Sequence, residues 1–148
     1  MKIRVEPKQT KNIKPGVHLQ QTAFWGRLKK QQGRKAQAFN ISVKDLNRNS
    51  LSTEGLSNPV GRREQAMAGK DMLVVLRSLG ADACMAYVPF GPELLPDEEQ
   101  RGRWLEQLSE QIRPHLPDTC IFIRYDLPWE SPWATDKSRY TADDIWLG

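Results

Sequence analysis

Histidine and cysteine are scarce in this chain of 148 residues, two of each. His18 and His115 stand alone, without the spacing of a metal-ligand set. Cys84 and Cys120 lie inside apolar runs and form no CxxC, which argues against a zinc site or a disulfide framework. They read as buried free thiols of a cytosolic protein. No apolar run approaches the ~20 residues of a membrane-spanning helix, and the opening MKIRVEPKQT has no signal-peptide core. P-loop, GxGxxG, nucleophile elbow and HExxH are all missing, and with them the common signatures of nucleotide, dinucleotide, serine-hydrolase and zinc-protease chemistry. No internal repeat is present.

What remains is a globular composition. Apolar residues make up 39% of the chain, and 22 Lys+Arg against 18 Asp+Glu give a net charge of +4. That is one domain, or one lobe of something larger, with enough chain to bury a core. The charge is unevenly spread. Residues 1–44 hold 11 basic side chains against Glu6 alone, residues 45–89 balance five with five, and residues 90–148 hold 6 basic and 12 acidic groups. The basic first third either attracts phosphates or neutralises the acidic last third within the fold.

The pattern of elements predicts a layered α/β (α+β) fold. Thr22 caps a short helix that carries Phe24, Trp25 and Leu28 on one face and stops at Gly33. Gly26 within it costs about 1 kcal/mol relative to alanine. Phe39, Ile41 and Val43 alternate with polar residues as in a half-buried strand. Residues 45–70 read as a long polar loop. The runs Met72–Leu76 and Ala83–Val88, parted by a turn at Gly80, suit two buried strands of a hairpin. A helix follows Pro96, with Asp97 and Gln100 as a capping box, Trp104, Leu105, Leu108 and Ile112 as its apolar face, and Pro114 as its stop. Ile121, Ile123 and Tyr125 alternate in a last strand. Residues 127–148 are Pro- and Trp-rich without a period, so the expected division is a domain over 1–126 and an irregular tail over 127–148.

Few segments carry chemistry. Tyr87-Val-Pro-Phe-Gly-Pro92 ends a buried strand, and Gly91 there either admits a ligand or serves a rigid turn. Arg124 and Asp126 share a strand face, as a site or as a structural ion pair. Lys29 and Lys30, close to Trp25, suit a diphosphate or plain solvation. Coenzyme A binding after the central strand is improbable. The prolines of Gly91-Pro-Glu-Leu-Leu-Pro-Asp-Glu-Glu99 delete the amides a pyrophosphate needs, and Glu93, Asp97, Glu98 and Glu99 repel it.

Three of these segments, in order, resemble the Fem family of non-ribosomal peptidoglycan interpeptide-bridge aminoacyltransferases. They are His18-Leu-Gln-Gln-Thr-Ala-Phe-Trp-Gly-Arg-Leu-Lys29, Tyr87-Val-Pro-Phe-Gly-Pro92, and Ile121-Phe-Ile-Arg-Tyr-Asp126 with Leu-Pro-Trp-Glu after it. The resemblance implies an acetyltransferase-like (GNAT-like) subdomain, a mixed central sheet flanked by helices, and only the N-terminal one of the family's two. It also implies a transferase in cell-wall synthesis and cell shape. Such an enzyme moves an amino acid from aminoacyl-tRNA to the stem peptide of a lipid-linked or nucleotide-linked muramyl-pentapeptide. No cofactor beyond the tRNA donor and no metal is implied, and the place of work is the cytoplasm, at the inner face of the membrane. By the same resemblance Asp126 is the candidate for proton transfer, Lys29 contacts the precursor's phosphates, and Gly91 and Pro92 shape the acceptor cleft. Trp25, Tyr87 and Arg124 complete the substrate-binding set. The chain departs from the family in having Phe90 where a basic residue often precedes Gly-Pro, and in ending at Gly148, where a second subdomain is expected. The alternative is a non-catalytic interaction module or inactive truncated remnant that binds tRNA, anionic lipid or a partner subunit. In that reading Trp129, Trp133 and Trp146 form an exposed patch for self-association or for a second-half subunit. A compact acetyltransferase ranks last, because of the acidic loop.

Overall fold

A computed structural model describes residues 2–44 and 66–130. Five strands, β1 (Lys2–Lys8), β2 (Lys35–Lys44), β3 (Ala66–Ser78), β4 (Cys84–Val88) and β5 (Cys120–Tyr125), form one sheet in sequence order. The first four pair antiparallel, and β5 joins β4 in parallel. A parallel neighbour requires a crossover. Residues 89–119 provide it, including α2 (Arg101–Ile112), while α1 (Ala23–Gln31) lies between β1 and β2 in the chain. The protein is therefore mixed α/β, with helices on its sheet. No helix among the described residues is long and apolar enough to cross a membrane.

Alternation along the strands separates two apolar layers. Val5, Phe39, Ile41, Met72, Val74 and Val88 face Trp104, Leu108 and Ile112 of α2. On the opposite side Ala38, Leu73 and Val75 meet Ile13, Ala23 and Trp25. The centre of β3 is buried on both faces, which explains the unbroken run Met72–Leu76.

The sequence reading needs several corrections. Residues 2–8 form a strand that it omitted. Ile3 and Val5 point inward and Lys2, Arg4 and Glu6 outward, a period too short and too charged to stand out, and Pro7 is tolerated because β1 is an edge. The loop expected over 45–70 ends earlier, since residues 66–70 already belong to β3. Gly69, which reads as a loop residue, sits at a register shift, where a Cβ would lie 2.7 Å from Asn40 Oδ1. Residues 45–65 lie outside the described residues. Asp97 makes no side-chain cap; a 3-10 turn over Glu98–Gln100 leads into α2 instead.

The α1 cap is present, with Thr22 Oγ1 accepting from the Trp25 amide, and Gly33 ends the helix region at φ +77°. Phe24, however, is 51% exposed and does not share Trp25's side of the helix. Gly26 takes the contact position: a Cβ there would stand 3.1 Å from Leu73 Cδ1, so the small residue lets α1 settle on β3. Cys84 and Cys120 are only part-buried. Trp129 is no exposed patch either, because it donates to Leu94 O at 3.0 Å and packs edge-on against Trp104. Trp133 and Trp146 lie outside the described residues, as does the tail from 131 onward.

Asp71 ties the sheet to the segment before α1. Its side chain is 2% exposed and accepts from Lys8 Nζ (2.7 Å), the Lys14 amide (2.7 Å) and Asn40 Nδ2 (2.8 Å). Burial pushes its pKa up, but the bonds from Asn40, Lys14 and Lys8 outweigh this and leave it below the ordinary value.

Candidate functional site

The site is built where β4 and β5 run out. Beyond Val88 the ladder persists for one more exchange, with Asp126 N–H donating to Val88 O and Gly91 N–H to Asp126 O, both at 3.0 Å. Between them the chain turns through Phe90, whose φ of +47° is unusual for a bulky residue. Gln21, 2% exposed, holds this turn. Its Oε1 accepts from Leu73 N–H at 2.8 Å, and its Nε2 donates to Pro89 O at 2.6 Å. Gly91 lies directly against it, since a Cβ would meet Gln21 Nε2 at 2.7 Å. Gly91 and Pro92 are both buried. Their immediate physical role is therefore to let the turn close over Gln21.

Side chains from α1, β3, β4 and two connecting segments converge above this turn. Trp25, Lys29, Arg34, Arg77, Tyr87 and Phe90 are among those lining a cavity of about 150 Å³. The Lys29 ammonium lies 4.5 Å from the Trp25 ring centre, and the Arg77 guanidinium 4.1 Å from that of Tyr87. Arg77 Nε is buried with no hydrogen-bond partner. The hollow thus has aromatic walls and three cations, a setting for an anion of about phosphate size and too small for a whole sugar-peptide. The larger cavities lie elsewhere; one of about 570 Å³ is bordered by Lys8, Lys11, Lys30 and His115.

Asp126 stands behind Tyr87 and does not line the hollow. The Tyr87 hydroxyl donates to Asp126 Oδ2, while Arg124 Nε reaches Asp126 Oδ1 at 3.3 Å and its guanidinium lies near the Tyr87 ring. Donation from Tyr87, then the Arg124 charge, holds the Asp126 carboxyl below its ordinary value. Burial, reinforced by Asp126, pushes the Tyr87 phenol up. The pair is therefore a neutral tyrosine bonded to a carboxylate. A carboxylate so stabilised is a weak general base.

Of the seven site residues expected from the sequence, Trp25, Lys29 and Tyr87 share the hollow. Arg124 and Asp126 lie behind Tyr87, and Gly91 and Pro92 are buried in the turn beneath and do not line the hollow. Sequence reasoning missed Gln21, Arg34 and Arg77. Arg77 follows the buried run of β3 at once, and a cation ending a buried strand was the available signal. Among the described residues no ion pair joins residues 1–44 to residues 90–130. Lys29 and Lys30 bond instead to Gln32 and Thr10. The acidic segment meets the N-terminal third through backbone, with Glu93 accepting from the Val17 and His18 amides at 3.0 and 2.7 Å. Compared with protein-family models, curated proteins and solved structures, the chain has no match.

Proposed function

We propose that this chain is the acceptor-binding lobe of a non-ribosomal aminoacyltransferase of the Fem type, with residues 1–126 as an acetyltransferase-like subdomain. The observation that carries the reading is that Lys29 and Tyr87, far apart in sequence, line one cationic hollow, with Asp126 of a third segment bonded to Tyr87 behind it. The hollow takes a phosphate of a lipid-linked or nucleotide-linked muramyl-pentapeptide, held by Lys29, Arg34 and Arg77, and Trp25 and Tyr87 wall the adjoining sugar. The sugar and peptide extend outside it. Aminoacyl-tRNA is the donor, and work on a lipid-linked acceptor puts the protein at the inner face of the membrane.

In the reaction the acceptor amine attacks the tRNA ester carbonyl, the C–O ester bond breaks, and the amine's proton ends on the departing ester oxygen, giving an amide and the free tRNA hydroxyl. Asp126 is too weak a base to drive that transfer and instead fixes the Tyr87 hydroxyl. This favours catalysis by positioning an already activated ester. Coenzyme A chemistry remains disfavoured, because the Gly91 amide at the end of β4 is bonded to Asp126 O.

Titration with a nucleotide-linked muramyl-pentapeptide tests the reading. Saturable binding is expected, weakened about tenfold by Lys29→Ala, the loss of one charge-assisted bond. Absent binding, or binding indifferent to that change, overturns it. The second reading, a non-catalytic module, is favoured by Ile121 and Phe122, which are 64% and 47% exposed on the end strand of the described sheet. Concentration-dependent self-association without precursor binding would select it.

A further inference from the structure

Cys84 opens β4 and Cys120 opens β5, and the parallel register makes the two residues direct partners. Neighbouring strands lie ~4.8 Å apart, inside the roughly 4.4–6.8 Å window of Cα separations that a disulfide spans. Cys120 packs against the α2-side core together with Ala86 and Val88, and alternation puts Cys84 on the same side of β4. The register shifts immediately beyond this pair, where Ile121 is the extra residue, so the backbone has local freedom at the point where a bond would form. Both thiols are free and part-buried. Each is reached from a different open cavity, Cys84 beside Pro117 and Thr119, Cys120 beside Phe122 and Asp118. Their present partners are weak: Cys84 Sγ lies 3.6 Å from Thr119 Oγ1, and Cys120 donates to Phe122 O at 3.5 Å.

We infer that Cys84 and Cys120 are a reversible disulfide site, closed by exchange with a low-molecular-weight disulfide. One thiolate attacks the small disulfide and expels one thiol, leaving a mixed disulfide. The second cysteine attacks the protein sulfur of that bond and expels the other thiol. In sum, the two cysteines lose two protons and two electrons, and the small disulfide is reduced to two thiols. The bond staples β4 to β5 at the ends opposite Tyr87 and Asp126. Burial and then the neighbouring Cys84 push the Cys120 thiol up, so the exchange is best followed in mildly alkaline buffer.

The test incubates the native full chain with oxidised glutathione, followed by intact mass and free-thiol titration. The expected product is a monomer lighter by two hydrogen atoms, with both thiols lost, both restored by dithiothreitol, and the circular dichroism of the reduced protein kept. Cys84→Ser and Cys120→Ser should each fail to lose the two hydrogens. Wild-type protein that ends with glutathione-capped thiols, intermolecular dimers or two unmodified cysteines overturns the inference. So does an internal disulfide that appears only with loss of the folded spectrum. The readout is independent of precursor binding, so this site and the aminoacyltransferase reading stand or fall separately.

Discussion

Gln21 joins three pieces of chain that share no sequence proximity: the turn before α1, the centre of β3, and the Pro89–Gly91 bend. Replacing it with alanine strands a buried N–H at Leu73 and a buried carbonyl at Pro89, each costing about 1–3 kcal/mol. Gln21→Ala should therefore lower stability by about 3 kcal/mol, read from the urea midpoint at unchanged slope. A loss below ~1 kcal/mol would mean that water takes over both partners. Asp71 is the charged counterpart. Its pKa is depressed below the ordinary 3.8, so its contribution is fully present above pH ~4 and is lost as pH falls through the folded value. Asp71→Asn should cost about 2 kcal/mol at pH 7. The gap from wild type should close on acidification below pH ~4, because only the wild type has that carboxylate to protonate; parallel acid limbs would contradict this account. Tyr125 behaves in the opposite sense. Burial, partly offset by its bond with Ser109, pushes its phenol up to about 12, so its share of stability is lost as pH rises from about 10 through that value.

At the scale of elements, burial separates structural from dispensable positions. Trp104 is 1% exposed and meets the sheet face of Phe39 and Met72, whereas Ile121 lies outward on β5. Trp104→Ala should cost about 4 kcal/mol and Ile121→Ser no more than about 0.5 kcal/mol, compared by denaturant unfolding. Equal effects would place the core elsewhere. The same distinction explains what was legible in the sequence. β2 and α2 announce themselves by an apolar period, and the β3–β4 hairpin by two unbroken apolar runs parted by a turn at Gly80. β1 has two inward apolar positions and three charged outward ones, too few to rise above the surrounding lysines. The first residues of β3 read as loop because Gly69 serves a register shift that only pairing with β2 reveals. Among site residues, Lys29, Tyr87 and Asp126 lie in segments whose order prompted the family resemblance. Arg34 belongs to no local pattern and Arg77 shows only as a cation after a buried run, and only the fold brings them to the same hollow. Gln21 was overlooked for the same reason, since a glutamine before a helix reads as surface.

For the molecule as a whole, the decisive quantity is where the charge of the first third goes. Three ion pairs among the described residues use Arg4, Lys8 and Arg124, and no described carboxylate pairs with Lys29, Arg34 or Arg77 around the hollow. Keeping cations together costs folding energy through self-repulsion, and an anionic ligand reverses that cost. The Arg77 guanidinium is the sensitive test, because its Nε is already desolvated and unbonded while its carbon lies over the Tyr87 ring. On the proposed acceptor-binding reading, Arg77→Gln should weaken binding of a nucleotide-linked muramyl-pentapeptide about tenfold, the equivalent of ~1.4 kcal/mol. The same change should leave unfolding stability within about 1 kcal/mol, since the unpaired nitrogen disappears with the charge. Raising the salt concentration should weaken wild-type binding more than binding by the variant, because fewer charges then remain to be screened. Calorimetric titrations of both proteins at low and physiological ionic strength measure the two slopes. Identical slopes would assign Arg77 to packing on Tyr87 and leave the anion to Lys29 and Arg34 alone.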